Sequence, residues 1–148
     1  MQIYIDQSGK VEYTSRATVV AYANGKQKAL SISAVDKREV QKVFRKVNRP
    51  DMFMFRTFGI LIAILILPEI KQITSVIIDL EYKGNENLVK DSLMQALRKK
   101  SVNFDKDLIH FLPVGKKHPC HTTAIAVFRG ERKPEVKVTA KEVLEYVI

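Results

Sequence analysis

The amino-acid sequence predicts an α/β fold: a mixed five-stranded sheet, in which three antiparallel strands precede parallel ones, flanked by helices. Three observations lead to this expectation. Alternating β-forming residues surround Asn24-Gly25, a strong hairpin signal, in the first part of the chain. From Asp36 onward, apolar residues recur at the three- and four-residue spacing of an amphipathic helix. Farther along, a strand, a helix and a strand follow in succession, which implies a right-handed parallel crossover.

Length, cysteine content and charge narrow the class of protein. The 148 residues are most simply one domain, 1–148, long enough to bury a core without disulfides. Cys120 is the single cysteine and no secretory signal is visible, so we expect a reducing, cytoplasmic location. Lys and Arg outnumber Asp and Glu by 25 to 16, a net charge of +9. Such a balance suits a polyanionic partner such as nucleic acid, although charge alone does not separate nucleic acid from a membrane surface.

The first strand ends in a carboxylate. In the stretch 3–9, three β-forming residues precede Asp6, and the turn residues Ser8 and Gly9 follow it. An Asp at the end of a buried strand offers oxygen ligands to a metal ion or to a phosphate-bound cation. The alternative is an Asp that only caps the turn, since Asp-x-Ser-Gly is also an ordinary turn sequence.

A basic helix is predicted after an antiparallel meander. β character continues through 11–14 and 17–23, and the segment 26–35 makes the third strand. The helix starts at the capping residue Asp36 and ends at 48–50. Its polar faces form a candidate surface for nucleic-acid phosphates, with ordinary solvated charge as the alternative. The candidate nucleic-acid-binding residues on this helix are Lys37, Arg38, Lys42, Arg45 and Lys46.

The most apolar segment of the chain is 52–67. Arg56 interrupts it, and it is shorter than the about 20 apolar residues that a membrane span requires. A buried helix, with one face available to a subunit contact, is therefore predicted in preference to a segment that lies on a membrane. No membrane partner is expected.

The stretch 75–82 repeats the design of the first strand, because its apolar run also leads into carboxylates. Asp79 and Glu81 are two residues apart and therefore point to the same face of the strand. If this strand lies parallel to the first and beside it, Asp6 and Asp79 come close together. A helix over 86–100 and a fifth strand over 107–114 follow.

A pair of histidines opens the next predicted helix, 118–130, which has Pro119 in its first turn. His118 and His121 are three residues apart and share one face, as two ligands of one metal ion must. The alternative is a capping histidine beside a packed one. After a basic linker, a short helix over 139–148 is predicted to end the chain, with Thr139 as its cap.

This order of elements resembles the ribonuclease H-like fold, and the chain is most similar to the RuvC-type Holliday-junction resolvases. In that family the last catalytic helix begins with Asp-x-x-Asp or His-x-x-Asp before an alanine-rich apolar stretch, and HPCHTTAIAV resembles this pattern. By position, the resemblance implies that Asp6 is the metal ligand of the first strand and Asp79 the acid of the fourth. It implies that His118 and His121 are the final catalytic pair, and that the protein is a homodimer.

One departure from the family pattern matters, because His121 stands where the family has an Asp. Magnesium prefers hard oxygen ligands, and a neutral imidazole removes both charge and hardness. Three outcomes are open: the site uses Mn²⁺, Glu81 supplies the missing carboxylate, or the protein keeps the fold without the reaction.

The resemblance therefore implies a metal-dependent nuclease that hydrolyses phosphodiester bonds of structured DNA or RNA, with Mg²⁺ or Mn²⁺ as its cofactor. The competing interpretation is a catalytically inactive ribonuclease H-like protein that binds nucleic acid. A third, an ATPase related to actin, requires a second domain to enclose ATP, and this chain is short for that. In the first two interpretations the nucleic-acid backbone is also held by Lys99-Lys100 and by Lys116 and Lys117.

Overall fold

The computed structural model describes residues 1–147, which form a mixed six-stranded sheet with five α-helices packed around it. The strands are β1 (Gln2–Ser8), β2 (Thr18–Ala23), β3 (Gln27–Ile32), β4 (Ser75–Asp79), β5 (Ile109–Leu112) and β6 (Val136–Val138). Their order across the sheet is β5-β4-β1-β2-β3-β6. The helices are α1 (Ala34–Lys46), α2 (Phe53–Ile66), α3 (Glu86–Lys99), α4 (Pro119–Phe128) and α5 (Ala140–Val147).

The pairing of the strands confirms the predicted mixture of directions. Strands β1, β2 and β3 form an antiparallel meander, while β4 lies parallel to β1 and β5 lies parallel to β4. In the register of β1 and β4, Ile5 pairs with Ile78. The next residues are Asp6 and Asp79, so this register brings the two carboxylates to the same end of neighbouring strands.

The sheet has a sixth strand that the sequence analysis did not predict. Strand β6 pairs parallel to β3, with Leu30 opposite Val136. The predicted β character of 11–14 is wrong, because this stretch forms turns, in which Tyr13 N donates to Lys10 O. The fifth strand is also shorter than predicted, since a 3₁₀ turn occupies Lys106–Leu108.

One of the two predicted helix caps is wrong and the other is confirmed. Ser33, rather than Asp36, caps α1, because Ser33 Oγ accepts a hydrogen bond from Asp36 N. Asp36 Oδ1 instead accepts a hydrogen bond from Ala140 N and so ties α1 to the start of α5. Thr139 caps α5 as predicted, through Glu142 N. Ile148, which the predicted terminal helix included, lies outside the described residues.

The two faces of the sheet are covered unequally. The larger core joins Ile3 and Ile5 of β1 to apolar side chains of α1, α2, α3 and α5. The opposite face is covered by α4, where Ala124 and Val127 pack on β2 and β3. Because side chains alternate along a strand, Asp6 points to the α4 face while Ile5 enters the larger core.

Helix α2 is the centre of the larger core, as the sequence predicted for this segment. Residues 60–63 are fully buried. The helical stretch Pro50–Gln72 is long and apolar enough to cross a membrane by length and composition, but 61 % of its most apolar window is buried inside the protein. Its Gly59 lies against α3 so closely that a Cβ there would be 2.6 Å from Ser92 Cβ.

Candidate metal centre

Three carboxylates meet where β1 and β4 end. Ligand oxygens of Asp6, Asp79 and Glu81 all lie within 4.8 Å of one another, and Asp6 is only 3 % exposed. They line a cavity of about 300 Å³, together with Gly115, Lys116 and His121. The two parallel strands supply Asp6 and Asp79, and the chain leaving β4 supplies Glu81. We name Asp6, Asp79 and Glu81 the acidic cluster.

Backbone amides fix two of these carboxylates. Asp6 Oδ1 accepts a hydrogen bond from Gln7 N at 2.8 Å. Asp79 Oδ1 accepts one from Val114 N at 2.8 Å, which ties β4 to the loop after β5. Hydrogen bonds to an ionised carboxylate stabilise its charge and restrict its rotamer. Asp6 and Asp79 are therefore held in position within the protein.

His121 belongs to this site and His118 does not line it. His121 lies in the first turn of α4, which packs against β1. Its Nδ1 is 2.7 Å from Asp6 Oδ2. His118 is the N-cap of α4, and its Nδ1 accepts a hydrogen bond from Cys120 N at 3.2 Å. Its ring packs against Tyr4, with the ring centroids 4.5 Å apart. The structure thus places one histidine at the acidic cluster and the other at a helix cap.

Glu81 carries the strongest electrostatic signal of the site. Burial, a hydrogen bond with Asp6 and the charges of Asp6 and Asp79 together raise the pKa of Glu81 to about 8, while Lys10 lowers it. Like charges this close disfavour a further ionisation, and a nearby positive charge relieves the repulsion. The repulsion within the acidic cluster therefore outweighs the attraction of Lys10 for Glu81.

Glu81 belongs to a chain of hydrogen-bonded side chains that also includes Gln7, Tyr82 and Glu12. Gln7 Nε2 donates to Glu81 Oε2 at 3.3 Å and to the Tyr82 hydroxyl at 3.0 Å. The Tyr82 hydroxyl donates to Glu12 Oε1 at 3.0 Å. Gln7 is 4 % exposed, and its Oε1 has no hydrogen-bond partner among residues 1–147. Sequence reasoning missed Gln7, Tyr82 and Glu12, because no spacing links a strand residue to the two loops that contact it.

The donor set fits a hard divalent cation. Three carboxylates within reach of one another offer the oxygen ligands that such cations prefer, and the raised pKa of Glu81 reflects repulsion that a cation relieves. The amide of buried Gln7 donates to Glu81 through Nε2, while its Oε1 has no hydrogen-bond partner among residues 1–147. The acidic cluster could therefore hold a metal ion.

The predicted basic surface is only partly correct. Lys37 is fully buried, and its Nζ donates to Tyr13 O and Thr18 Oγ1 instead of facing a phosphate. Arg38 is exposed but donates to Thr14 O, and Lys42 pairs with Glu39. The candidates that remain exposed without such a contact are Arg45 and Lys46 on α1 and Lys116 and Lys117 before α4. Of these, Lys116 lines the cavity of the acidic cluster.

Comparison with known proteins adds no relative. No protein-family model matches the sequence, no curated protein is significantly similar to it, and no solved structure significantly resembles its fold. The interpretation of the site therefore depends on its own geometry and chemistry.

Proposed function

We propose that this protein is a metal-dependent nuclease with a ribonuclease H-like fold, which hydrolyses phosphodiester bonds of structured DNA or RNA. The observation that carries the proposal is the acidic cluster, whose ligand oxygens lie within 4.8 Å of one another at the ends of two adjacent parallel strands. Three carboxylates whose mutual repulsion raises the pKa of Glu81 suit Mg²⁺ or Mn²⁺ and the phosphate oxygens that these ions bind.

The order of elements supports the same proposal. An antiparallel meander with an acid on its first strand precedes a parallel strand with a second acid. Helix α4 then crosses the first strand and adds His121 to the site. This is the arrangement that the resemblance to the resolvases implies. The additional strand β6 lies at the far edge of the sheet and does not touch the acidic cluster.

Each residue of the site has a defined part in the proposed chemistry. Bound Mg²⁺ or Mn²⁺ would supply an activated water and stabilise the leaving oxygen. Asp79 would hold the cation with Oδ2, and Asp6 with Oδ2, the oxygen that it shares with His121. His121 orients Asp6, and Lys116 places a positive charge at the cavity for the phosphate. Mn²⁺ accepts an imidazole ligand more readily than Mg²⁺ does, so a direct contact of His121 with the ion would favour Mn²⁺.

A cleavage assay tests the proposal. Labelled single-stranded, duplex, hybrid and four-way-junction substrates are incubated with Mg²⁺ and separately with Mn²⁺. The Asp6→Asn protein is compared with Asp91→Asn, which makes the same change at an exposed position of α3. We expect metal-dependent cleavage that Asp6→Asn abolishes and Asp91→Asn retains. Equal cleavage by the two variants would refute the role of the acidic cluster.

One observation favours a second candidate, a catalytically inactive binding protein of the same fold. The position at which the resolvases have a carboxylate is His121, and its imidazole occupies Asp6 Oδ2. A side chain that holds this oxygen competes with a cation for it. Salt-sensitive binding of nucleic acid without cleavage in either metal ion would favour this candidate over the nuclease.

A further inference from the structure

A cleft lies beside the loop that joins β1 to β2. Its volume is about 550 Å³, and it is lined by Gly9, Lys10, Tyr13, Ser15, Arg16 and Phe128. The first five of these belong to residues 9–17, which we call the β1–β2 loop, and Phe128 ends α4. The loop starts three residues after Asp6, so the cleft and the acidic cluster share the same end of β1.

Buried polar contacts hold the β1–β2 loop in one conformation. The Lys37 ammonium donates to Tyr13 O at 2.9 Å, to Thr18 Oγ1 at 2.8 Å and to Lys10 O at 3.4 Å. Thr18 Oγ1 in turn donates to Gly9 O. A fully buried lysine with three oxygen partners anchors the loop from below. Burial also lowers the pKa of Lys37 to about 8.

The loop is also fitted closely against α4. Gly9 has φ +71°, and a Cβ there would lie 2.4 Å from Phe128 Cε1 and 2.3 Å from Ala17 O. Only glycine combines this backbone conformation with so close an approach. The outer side of the loop is tied as well, since Arg38 Nη1 donates to Thr14 O at 2.8 Å. The cleft is therefore a preformed surface.

The chemistry of the cleft is aromatic and cationic. Tyr13 is 59 % exposed, which is unusual for a large aromatic side chain, and Phe128 also lines the cleft. Lys10 and Arg16 make no side-chain hydrogen bond or ion pair with any residue that the structure describes. The positive charge of Lys10 reaches the Glu81 carboxyl, which links the cleft electrostatically to the acidic cluster.

We infer that this cleft binds an unpaired strand of nucleic acid, with a base stacked on Tyr13 and phosphates on Lys10 and Arg16. Aromatic stacking beside a positively charged groove is the general way in which proteins hold single strands. A base in a duplex has no free face to offer Tyr13, so the cleft selects single-stranded segments. This inference rests on the proposed nuclease function and names its substrate class: a strand that passes from the cleft to the acidic cluster.

Binding without cleavage tests the cleft directly. Fluorescence anisotropy is measured in EDTA with labelled single strands of thymidylate and of uridylate, and with a duplex of matched length. Tyr13→Ala is compared with Tyr13→Phe, which keeps the stacking face. Arg16→Gln is compared with Lys26→Gln, which removes an exposed positive charge in the β2–β3 turn. Thermal melting confirms that each variant is folded.

We expect Tyr13→Ala to weaken single-strand binding roughly 5- to 100-fold and Tyr13→Phe to leave it within about twofold. Arg16→Gln should reduce by about 0.7 the slope with which the logarithm of the binding constant falls against the logarithm of salt concentration. Lys26→Gln should leave this slope unchanged. Duplex binding should respond little to Tyr13→Ala. The two single strands show whether DNA or RNA binds more tightly. Equal single-strand affinity of Tyr13→Ala and the unaltered protein would overturn the inference.

The same variants separate this inference from the proposed function. If the protein cleaves nucleic acid but Tyr13→Ala binds and cleaves single strands normally, the nuclease stands and the cleft is excluded. If no metal ion supports cleavage while Tyr13→Ala still loses single-strand affinity, the cleft is confirmed as a binding site and the nuclease is excluded.

Discussion

His121 Nδ1 lies 2.7 Å from Asp6 Oδ2, which joins the helix that covers one face of the sheet to the acid of its first strand. Asp6 Oδ1 is already bonded to Gln7 N, so each oxygen of this carboxylate has a protein contact. When the ring proton is on Nδ1, the imidazole donates to Asp6 and its Nε2 is left as an acceptor. The metal affinity of the site therefore depends on residue 121.

Replacing His121 by aspartate should strengthen binding of Mg²⁺. His121→Asp adds a fourth carboxylate, and like charges about 4 Å apart cost roughly 4 kcal/mol at the effective dielectric near a protein surface. Without divalent ions we expect the melting temperature to fall by about 8–16 °C, and Mg²⁺ to restore it. His118→Asp is the matched control, because it makes the same change at the α4 N-cap, where Asp is well tolerated. Similar responses to Mg²⁺ in both variants would contradict the prediction.

The stability of the metal-free protein should depend on pH through Glu81. Its pKa is raised from 4.5 to about 8 in the folded state, so between these values the folded protein binds a proton that the unfolded chain has released. The free energy of unfolding therefore falls as the pH rises from about 5 to 8. Glu81→Gln should remove this fall. Denaturant midpoints at pH 5, 6.5 and 8 in EDTA measure this fall in the unaltered protein and in Glu81→Gln. The same dependence of the midpoint on pH in both proteins would argue against the raised pKa.

Lys37→Met should release the β1–β2 loop. The substitution leaves Tyr13 O, Lys10 O and Thr18 Oγ1 without their donor, and we expect it to cost about 3 kcal/mol of stability. Trypsin should then cut after Lys10 or Arg16 much faster than in the unaltered protein. Lys42→Met, on the exposed side of the same helix, is the control, and its effect should stay below about 0.5 kcal/mol. A resistant loop in Lys37→Met would show that the lysine does not anchor it.

Gly59→Ala should destabilise the protein even though alanine is the better helix former. Propensity alone favours alanine by about 1 kcal/mol. A Cβ at this position would lie 2.7 Å from Leu93 N, a backbone atom of α3 that cannot move without shifting the helix. Overpacking of this kind costs about 1–3 kcal/mol, so we expect a net loss. Urea unfolding measures it, and a gain in stability would mean that α2 and α3 pack less closely than the structure has them.

The sequence predicted the acidic part of the site because strand alternation is a strict rule. Asp6 and Asp79 each end an apolar strand, so parallel pairing of β1 and β4 was enough to bring these two together. Glu81 joins them by another route than the predicted one, because β4 ends at Asp79 and Glu81 N turns back to donate to Asp79 O. The spacing of His118 and His121 left their roles open. Only the structure separates them, because the position of a helix cap depends on the loop before it.

The sequence pattern did not predict strand β6 or the burial of Lys37. Strand β6 has three residues, too few to show a period of two. Lys37 lies three and seven residues before Val40 and Phe44, on the buried face of α1, so its spacing pointed inward while its charge suggested a surface role. The contacts of its ammonium come from the β1–β2 loop, whose course the sequence alone does not specify.

Binding of Mn²⁺ tests most directly the claim that the acidic cluster is a metal centre. Electron paramagnetic resonance at pH 8 measures free Mn²⁺ in the presence of the unaltered protein, Asp79→Asn and Asp91→Asn. Asn at position 79 keeps the oxygen that accepts from Val114 N, so the loop geometry is retained while one charge is lost. We predict at least tenfold weaker binding in Asp79→Asn and normal binding in Asp91→Asn. Equal Mn²⁺ affinity in all three proteins would contradict the account.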